Sequence, residues 1–161
     1  MITQELDPRT SSRALAAWVG LLRAHASLTR QFNAELVAEH GLTISGYEAL
    51  LRLARAPDGR MRRVDLAESL LLTPSGVTRL LDGLERTGLV CKGACSADAR
   101  VTYAVLTDLG RAKIEAASHA HVAAVGAYFG ARFAPEDLAA LAELLGRIPG
   151  TGAGADECTV T

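Results

Sequence analysis

Along most of the chain, apolar residues recur every three or four positions, the period of a helix with one buried face. Leu15, Trp18, Leu22, Leu28, Phe32 and Leu36 follow this spacing and predict a first helix over residues 12–40, with Gly41 as its stop. A helix this long in a chain this short usually finds cover in a partner subunit, and the ordinary reading of Trp18 is a core residue. A second helix is expected to open at Ser45, with Glu48 reaching back to complete a capping box. Tyr47, Leu50, Leu51 and Leu53 supply its apolar side, and Ala56-Pro57-Asp58-Gly59 ends it with turn residues. Residues 61–63 read as a short extended link, and 64–71 as a compact helix carried by Leu66, Ala67 and Leu70.

Thr73-Pro74 restarts the helical pattern, Thr as a favoured cap and Pro where its missing N–H costs nothing. Val77, Leu80, Leu81 and Leu84 form one stripe, and the segment ends at Thr87-Gly88. Ser75, Thr78, Arg79, Asp82 and Arg86 fall on the opposite side and are all polar. After Gly88 the period shortens: residues 89–91 and 101–106 read as two strands around a small-residue tip at 93–100. Thr107 caps a further helix bearing Ile114, Val122, Val125 and Phe129, with Asp108 at its positive end. A last helix opens at Pro135 behind a poor cap, Ala134, and carries Leu138, Leu141, Leu144 and Leu145. Residues 149–161 read as a flexible tail. The expected class is mainly α with a small β-hairpin.

Composition narrows this little: 49% hydrophobic and 22% charged residues are ordinary for a globular chain, and 161 residues suit one domain. There is no apolar run near the roughly 20 residues of a membrane span, and no signal-peptide layout, so a cytoplasmic protein with no membrane partner is expected. The net charge of −1 conceals an asymmetry. Residues 59–113 hold nine Lys/Arg against six Asp/Glu, whereas residues 135–161 hold one Arg against five acids. Because screening makes attraction to phosphate local, the middle segment is the one suited to nucleic acid.

No nucleophile–base pair, carboxylate dyad, phosphate loop or metal set emerges from the pattern, so neither an enzyme nor a cofactor is expected. Cys91, Cys95 and Cys158 are too few for a disulfide scaffold, and Cys91-x3-Cys95 has no second pair to complete a zinc site. Two short helices joined by a tight turn, the second with a polar outer face, fit a helix-turn-helix whose second helix enters the major groove. That face alone is equally consistent with solvated surface. The hairpin that follows makes the unit a winged helix, with a wing able to reach phosphates or the minor groove.

The ordered set Asp65-Leu66-Ala67, Leu84-Glu85-x-x-Gly88-Leu89-Val90, Asp98-x-Arg100 and Leu106-Thr107-x-x-Gly110 resembles the MarR family of transcriptional regulators over residues 12–147. The resemblance implies a single domain in which residues 12–40 and 107–148 are dimerisation helices and 45–106 form the winged helix-turn-helix. It implies a homodimer that binds a palindromic double-stranded operator, as a repressor relieved by a small-molecule effector. Candidate DNA contacts are Arg63, Thr73, Ser75, Thr78, Arg79, Lys92 and Arg100, with Asp98 pairing Arg100 to stiffen the wing. Candidate ligand residues are Trp18, His25, Tyr47, Glu48 and Arg52. Two alternatives stay open: a thiol-based redox regulator working through Cys91 and Cys95, and a helical interaction module that binds no DNA.

Overall fold

The computed structural model describes residues 8–94 and 102–149. It contains helices α1 (Pro8–His40), α2 (Ile44–Arg55), α3 (Arg63–Ser69), α4 (Pro74–Arg86), α5 (Asp108–Gly130) and α6 (Pro135–Gly146). Strands β1 (Arg60–Arg62), β2 (Val90–Ala94) and β3 (Thr102–Leu106) complete it. The chain forms two compact units, one up to Lys113 and one from Ile114 onward.

In the first unit, the predicted periodicities hold with adjustments that have local causes. Helix α1 extends four residues further back than expected, to Pro8. Helix α2 is capped by Thr43, not Ser45: its hydroxyl accepts from the Gly46 amide at 3.1 Å. The Ile44 amide donates to Asn33 Oδ1 of α1 at 3.0 Å. With both amides satisfied from outside, Ser45 lies inside the helix, and Glu48 is exposed rather than closing a capping box. The expected link after α2 is a strand. Arg60, Met61 and Arg62 pair antiparallel with Val105, Ala104 and Tyr103, so the hairpin β2–β3 widens to a three-stranded sheet of order β1-β3-β2. Arg60 lies over the Tyr103 ring at 4.9 Å, a diagonal cross-strand pair.

The core sits where α2, α3 and α4 meet the sheet, with Leu50, Leu53, Leu66, Leu81 and Val90 fully buried. Each buried Leu of this kind contributes about 1.5–3 kcal/mol. Helix α5 begins on this core. A Cβ on Gly110 would stand 2.1 Å from the Leu89 carbonyl oxygen, so only glycine lets the helix approach the chain just before β2 this closely.

Trp18 is not a core residue: it is 56% exposed, and Leu15 and Leu22 on the same helix are exposed with it. The apolar stripe that reads as core in the sequence therefore divides, because only its C-terminal part, from Phe32 to Leu36, lies under other elements. In the second unit Phe129 stacks on Phe133 at 5.9 Å, and the Arg132 guanidinium lies 3.6 Å over Tyr128. Helix α6 has no buried residue, and its Leu141, Leu144 and Leu145 face outward. No helix among the described residues is long and apolar enough to cross a membrane.

Candidate nucleic-acid interface

At the cap position just before α3, Arg62 grips Asp65 one turn on through Nε at 2.7 Å and Nη2 at 2.6 Å. The bidentate hydrogen bond, with the Coulombic attraction, raises the Arg62 guanidinium above its ordinary value and holds the Asp65 carboxyl below its own. Asp65 also lies at the positive end of α3. This pair was not singled out in the sequence. An arginine at the cap followed three residues later by an acid is the signal that marks it.

Helix α3 ends earlier than expected, at Ser69, in a paired turn: Leu71 N–H donates to Glu68 O at 3.1 Å and Leu72 N–H to Ala67 O at 2.9 Å. That geometry requires a left-handed residue, and Leu71 supplies it at φ 53° while remaining 94% exposed. Helix α4 ends in the same turn, with Gly88 N–H to Glu85 O and Leu89 N–H to Leu84 O both at 3.0 Å. There Gly88 takes φ 72° without strain.

The start of α4 follows the expected chemistry. The Thr73 hydroxyl accepts from the Gly76 amide at 3.1 Å and lies 3.2 Å from the Ser75 hydroxyl. Pro74 has no N–H, so the Ser75 amide remains as a donor at the helix end. The Thr78 hydroxyl donates back to Pro74 O at 2.8 Å. Val77, Leu81 and Leu84 are buried, which turns Ser75, Thr78 and Arg79 outward. With Pro74 they line one shallow exposed depression. The Arg79 side chain forms no hydrogen bond or ion pair among the described residues, so its donors are available. Asp82 and Arg86, further along, are exposed, and Arg86 is folded onto the Asp82 carbonyl at 3.3 Å.

Thr78 also borders a groove of about 570 Å³ with Arg62, Arg63 and Thr102, so the base of the wing stands beside the outer face of α4. Arg63 is half-buried, with Nη2 enclosed and without a hydrogen-bond partner. Lys92 pairs with Glu85 at 3.2 Å, tying β2 to α4. Cys91 is a free, exposed thiol on β2. Cys95, Asp98 and Arg100 lie outside the described residues. The ligand candidates scatter: Tyr47 is buried, Trp18, His25 and Glu48 are exposed, and Arg52 buries an Nε that has no hydrogen-bond partner.

The sequence profile described as "MarR family" matches residues 40–101. AbsC, a MarR family transcriptional regulator from Streptomyces coelicolor, is 32% identical, with 89% of this chain and 93% of that chain covered at a TM-score of 0.74. Sco3205, a MarR family transcriptional regulator from the same organism solved in complex with DNA, is 28% identical over 83% of each chain at a TM-score of 0.76. YetL, an HTH-type transcriptional repressor from Bacillus subtilis, is 32% identical over 90 residues, which span 56% of this chain and 54% of that protein.

Proposed function

Because this chain belongs to the MarR family of winged-helix transcriptional regulators, we propose that it is a homodimeric repressor of a palindromic operator, released from DNA by a small-molecule effector. The observation that carries the reading is the outward face of α4, where Ser75, Thr78 and Arg79 share one depression beside the base of the wing. In this reading α4 lies in the major groove, Arg79 donates its fork to a guanine edge, and Ser75 and Thr78 meet bases or phosphates. Thr73 and the Ser75 amide hold a backbone phosphate at the helix end. Arg63, Lys92 and Arg100 supply further phosphate contacts around the wing. Lys92 does so from within its pair with Glu85, which lowers its share.

Dimerisation is supported by the exposed apolar side chains of α1, Leu15, Trp18, Leu21 and Leu22, which a monomer would leave in water. A two-fold dimer presents two α4 helices to half-sites about one helical turn apart, hence the palindrome. Repression accords with YetL, which is a repressor.

The test is fluorescence anisotropy with the duplex lying upstream of the gene, repeated over a salt series. Binding that weakens steeply with salt and is lost in Arg79→Ala supports the reading. No binding at low salt, with Arg79→Ala indistinguishable from wild type, would overturn it in favour of an interaction module that uses no DNA.

A further inference from the structure

We propose that Asp65 sets how many DNA phosphates the base of the wing takes up: it withholds Arg62 and leaves Arg63 to receive one. Asp65 is then a positioning residue that acts through Arg62, a role that rests on the DNA-binding reading above. The groove concerned, of about 570 Å³, runs between α3, the start of α4 and Thr102 of β3, and is bordered by Thr78. Arg62 and Arg63 both line it, in opposite electrostatic situations.

Arg62 is engaged. Its Nε and Nη2 donate to the two Asp65 carboxylate oxygens at 2.7 and 2.6 Å, and Glu68, on the groove wall, adds its own attraction to the same guanidinium. Arg63 has no such partner. Its side chain forms no hydrogen bond or ion pair among the described residues, and its Nη2 is enclosed with nothing to donate to.

This difference decides which arginine meets an incoming phosphate. Arg63 gives up nothing, and a phosphate oxygen satisfies an enclosed donor that is otherwise unpaired. Arg62 would exchange one two-pronged anion pair for another, and would leave a bare carboxylate beside the phosphates. Arg62 therefore stays on Asp65, and the groove neutralises one phosphate where its two arginines could neutralise two. Phosphate contacts carry no sequence information, so Asp65 lowers affinity for operator and unrelated duplex alike and leaves their ratio unchanged.

The test is the slope of log affinity against log salt, measured by anisotropy on full-length protein with the duplex upstream of the gene and with a scrambled duplex. Asp65→Asn should bind both duplexes more tightly and steepen the slope by about 0.9 per chain, with the preference between duplexes unchanged. Arg63→Gln should flatten the slope by about the same amount. Arg62→Gln with Asp65→Asn removes the pair without changing net charge and should match wild type. Glu68→Gln removes an equal charge from the groove wall but does not free the Arg62 fork, so its effect should be smaller than that of Asp65→Asn. A double variant as flat as Arg63→Gln would overturn the proposal, since Arg62 would then already hold a phosphate. Equal effects of Glu68→Gln and Asp65→Asn, or a lost duplex preference in Asp65→Asn, would overturn it as well. Elution of the same variants from immobilised heparin, a polyanion without bases, runs in parallel. If wild type binds neither duplex, the regulator reading fails, and heparin still decides the withholding of Arg62. Later elution of Asp65→Asn than of wild type, Glu68→Gln and the double variant supports it, and co-elution of Asp65→Asn with wild type overturns it.

Discussion

The Thr107 hydroxyl donates to the carbonyl oxygen of Gly88, nineteen residues earlier, at 2.7 Å. The Thr107 hydroxyl oxygen in turn accepts from the Gly110 amide at 3.0 Å, and the Thr107 amide donates to Leu89 O at 3.2 Å. One residue thus caps α5 and fastens it to the exit of α4. Thr107→Ala removes the cap and the tie together and should lower stability by about 1–2 kcal/mol, read as a shifted urea midpoint. Thr107→Ser should recover most of the loss. Gly110→Ala should cost more than Thr107→Ala, because its Cβ meets the Leu89 backbone, which cannot rotate away.

The matched turns after α3 and α4 make a paired comparison. Leu71 holds a left-handed conformation that disfavours a side chain by roughly 1–2 kcal/mol, and its own side chain is almost wholly in water. Leu71→Gly relieves that strain but loosens the unfolded chain, and should raise stability by up to about 1 kcal/mol. Gly88→Ala should lower it by about 1 kcal/mol through backbone strain, since its Cβ makes only an ordinary contact, 3.7 Å from Leu109 Cδ2. Thermal melts that move both variants in the same direction would contradict this account.

Asp65 gives the first unit an acid-sensitive contact. Its pKa is depressed in the folded state by the Arg62 hydrogen bond, so the unfolded chain takes up its proton first as pH falls. The pair's contribution is therefore fully present above the ordinary carboxylate pKa of about 4 and is lost as pH falls through the lowered folded value. Asp65→Asn should match wild type in very acidic buffer and fall below it at neutral pH. The difference should be small, because both partners are solvent-exposed. Melting temperatures compared at neutral pH and below about pH 3 test the sign.

Variants of Arg79 test the proposed base reading separately from phosphate attraction. Arg79→Ala should weaken operator binding by about 1–3 kcal/mol. Arg79→Lys keeps the charge without the planar fork, so it should retain affinity for unrelated duplex while losing preference for the operator. Anisotropy with operator and scrambled duplexes measures both, and a lysine variant with full preference would show that Arg79 serves as a plain charge.

Trp18 offers a test of the proposed dimer. It is the sole tryptophan and stands exposed beside Leu15 on α1. Wild type should sediment as a dimer with blue-shifted emission, and Leu15→Lys/Trp18→Lys should sediment as a monomer. A monomeric wild type at micromolar concentration would remove the basis for a palindromic operator.

Residue order alone suffices for the features stabilised within a few residues of where they are written. The cap at Thr73, the Pro74 start, the Val77–Leu81–Leu84 stripe and the Thr107 cap depend on contacts one turn away, so residue type and spacing suffice to place them. The outward set Ser75, Thr78 and Arg79 was legible for the same reason, as the complement of that stripe. The remaining features depend on contacts between distant parts of the chain. Arg60–Arg62 becomes a strand only because Tyr103–Val105 arrives beside it from far along the chain, and a three-residue segment carries no period of its own. Thr43 rather than Ser45 caps α2 because Asn33, on another helix, reaches the Ile44 amide; both candidates have suitable hydroxyls, and sequence cannot weigh an acceptor it does not place. Trp18 and Phe32 obey one periodicity, yet only Phe32 is covered, since a helical stripe specifies which side seeks cover and not what supplies it. A cavity lined by His40, Arg79 and Lys113 is the extreme case: three residues from three helices, with no spacing in common, come to share one wall only when the chain is folded.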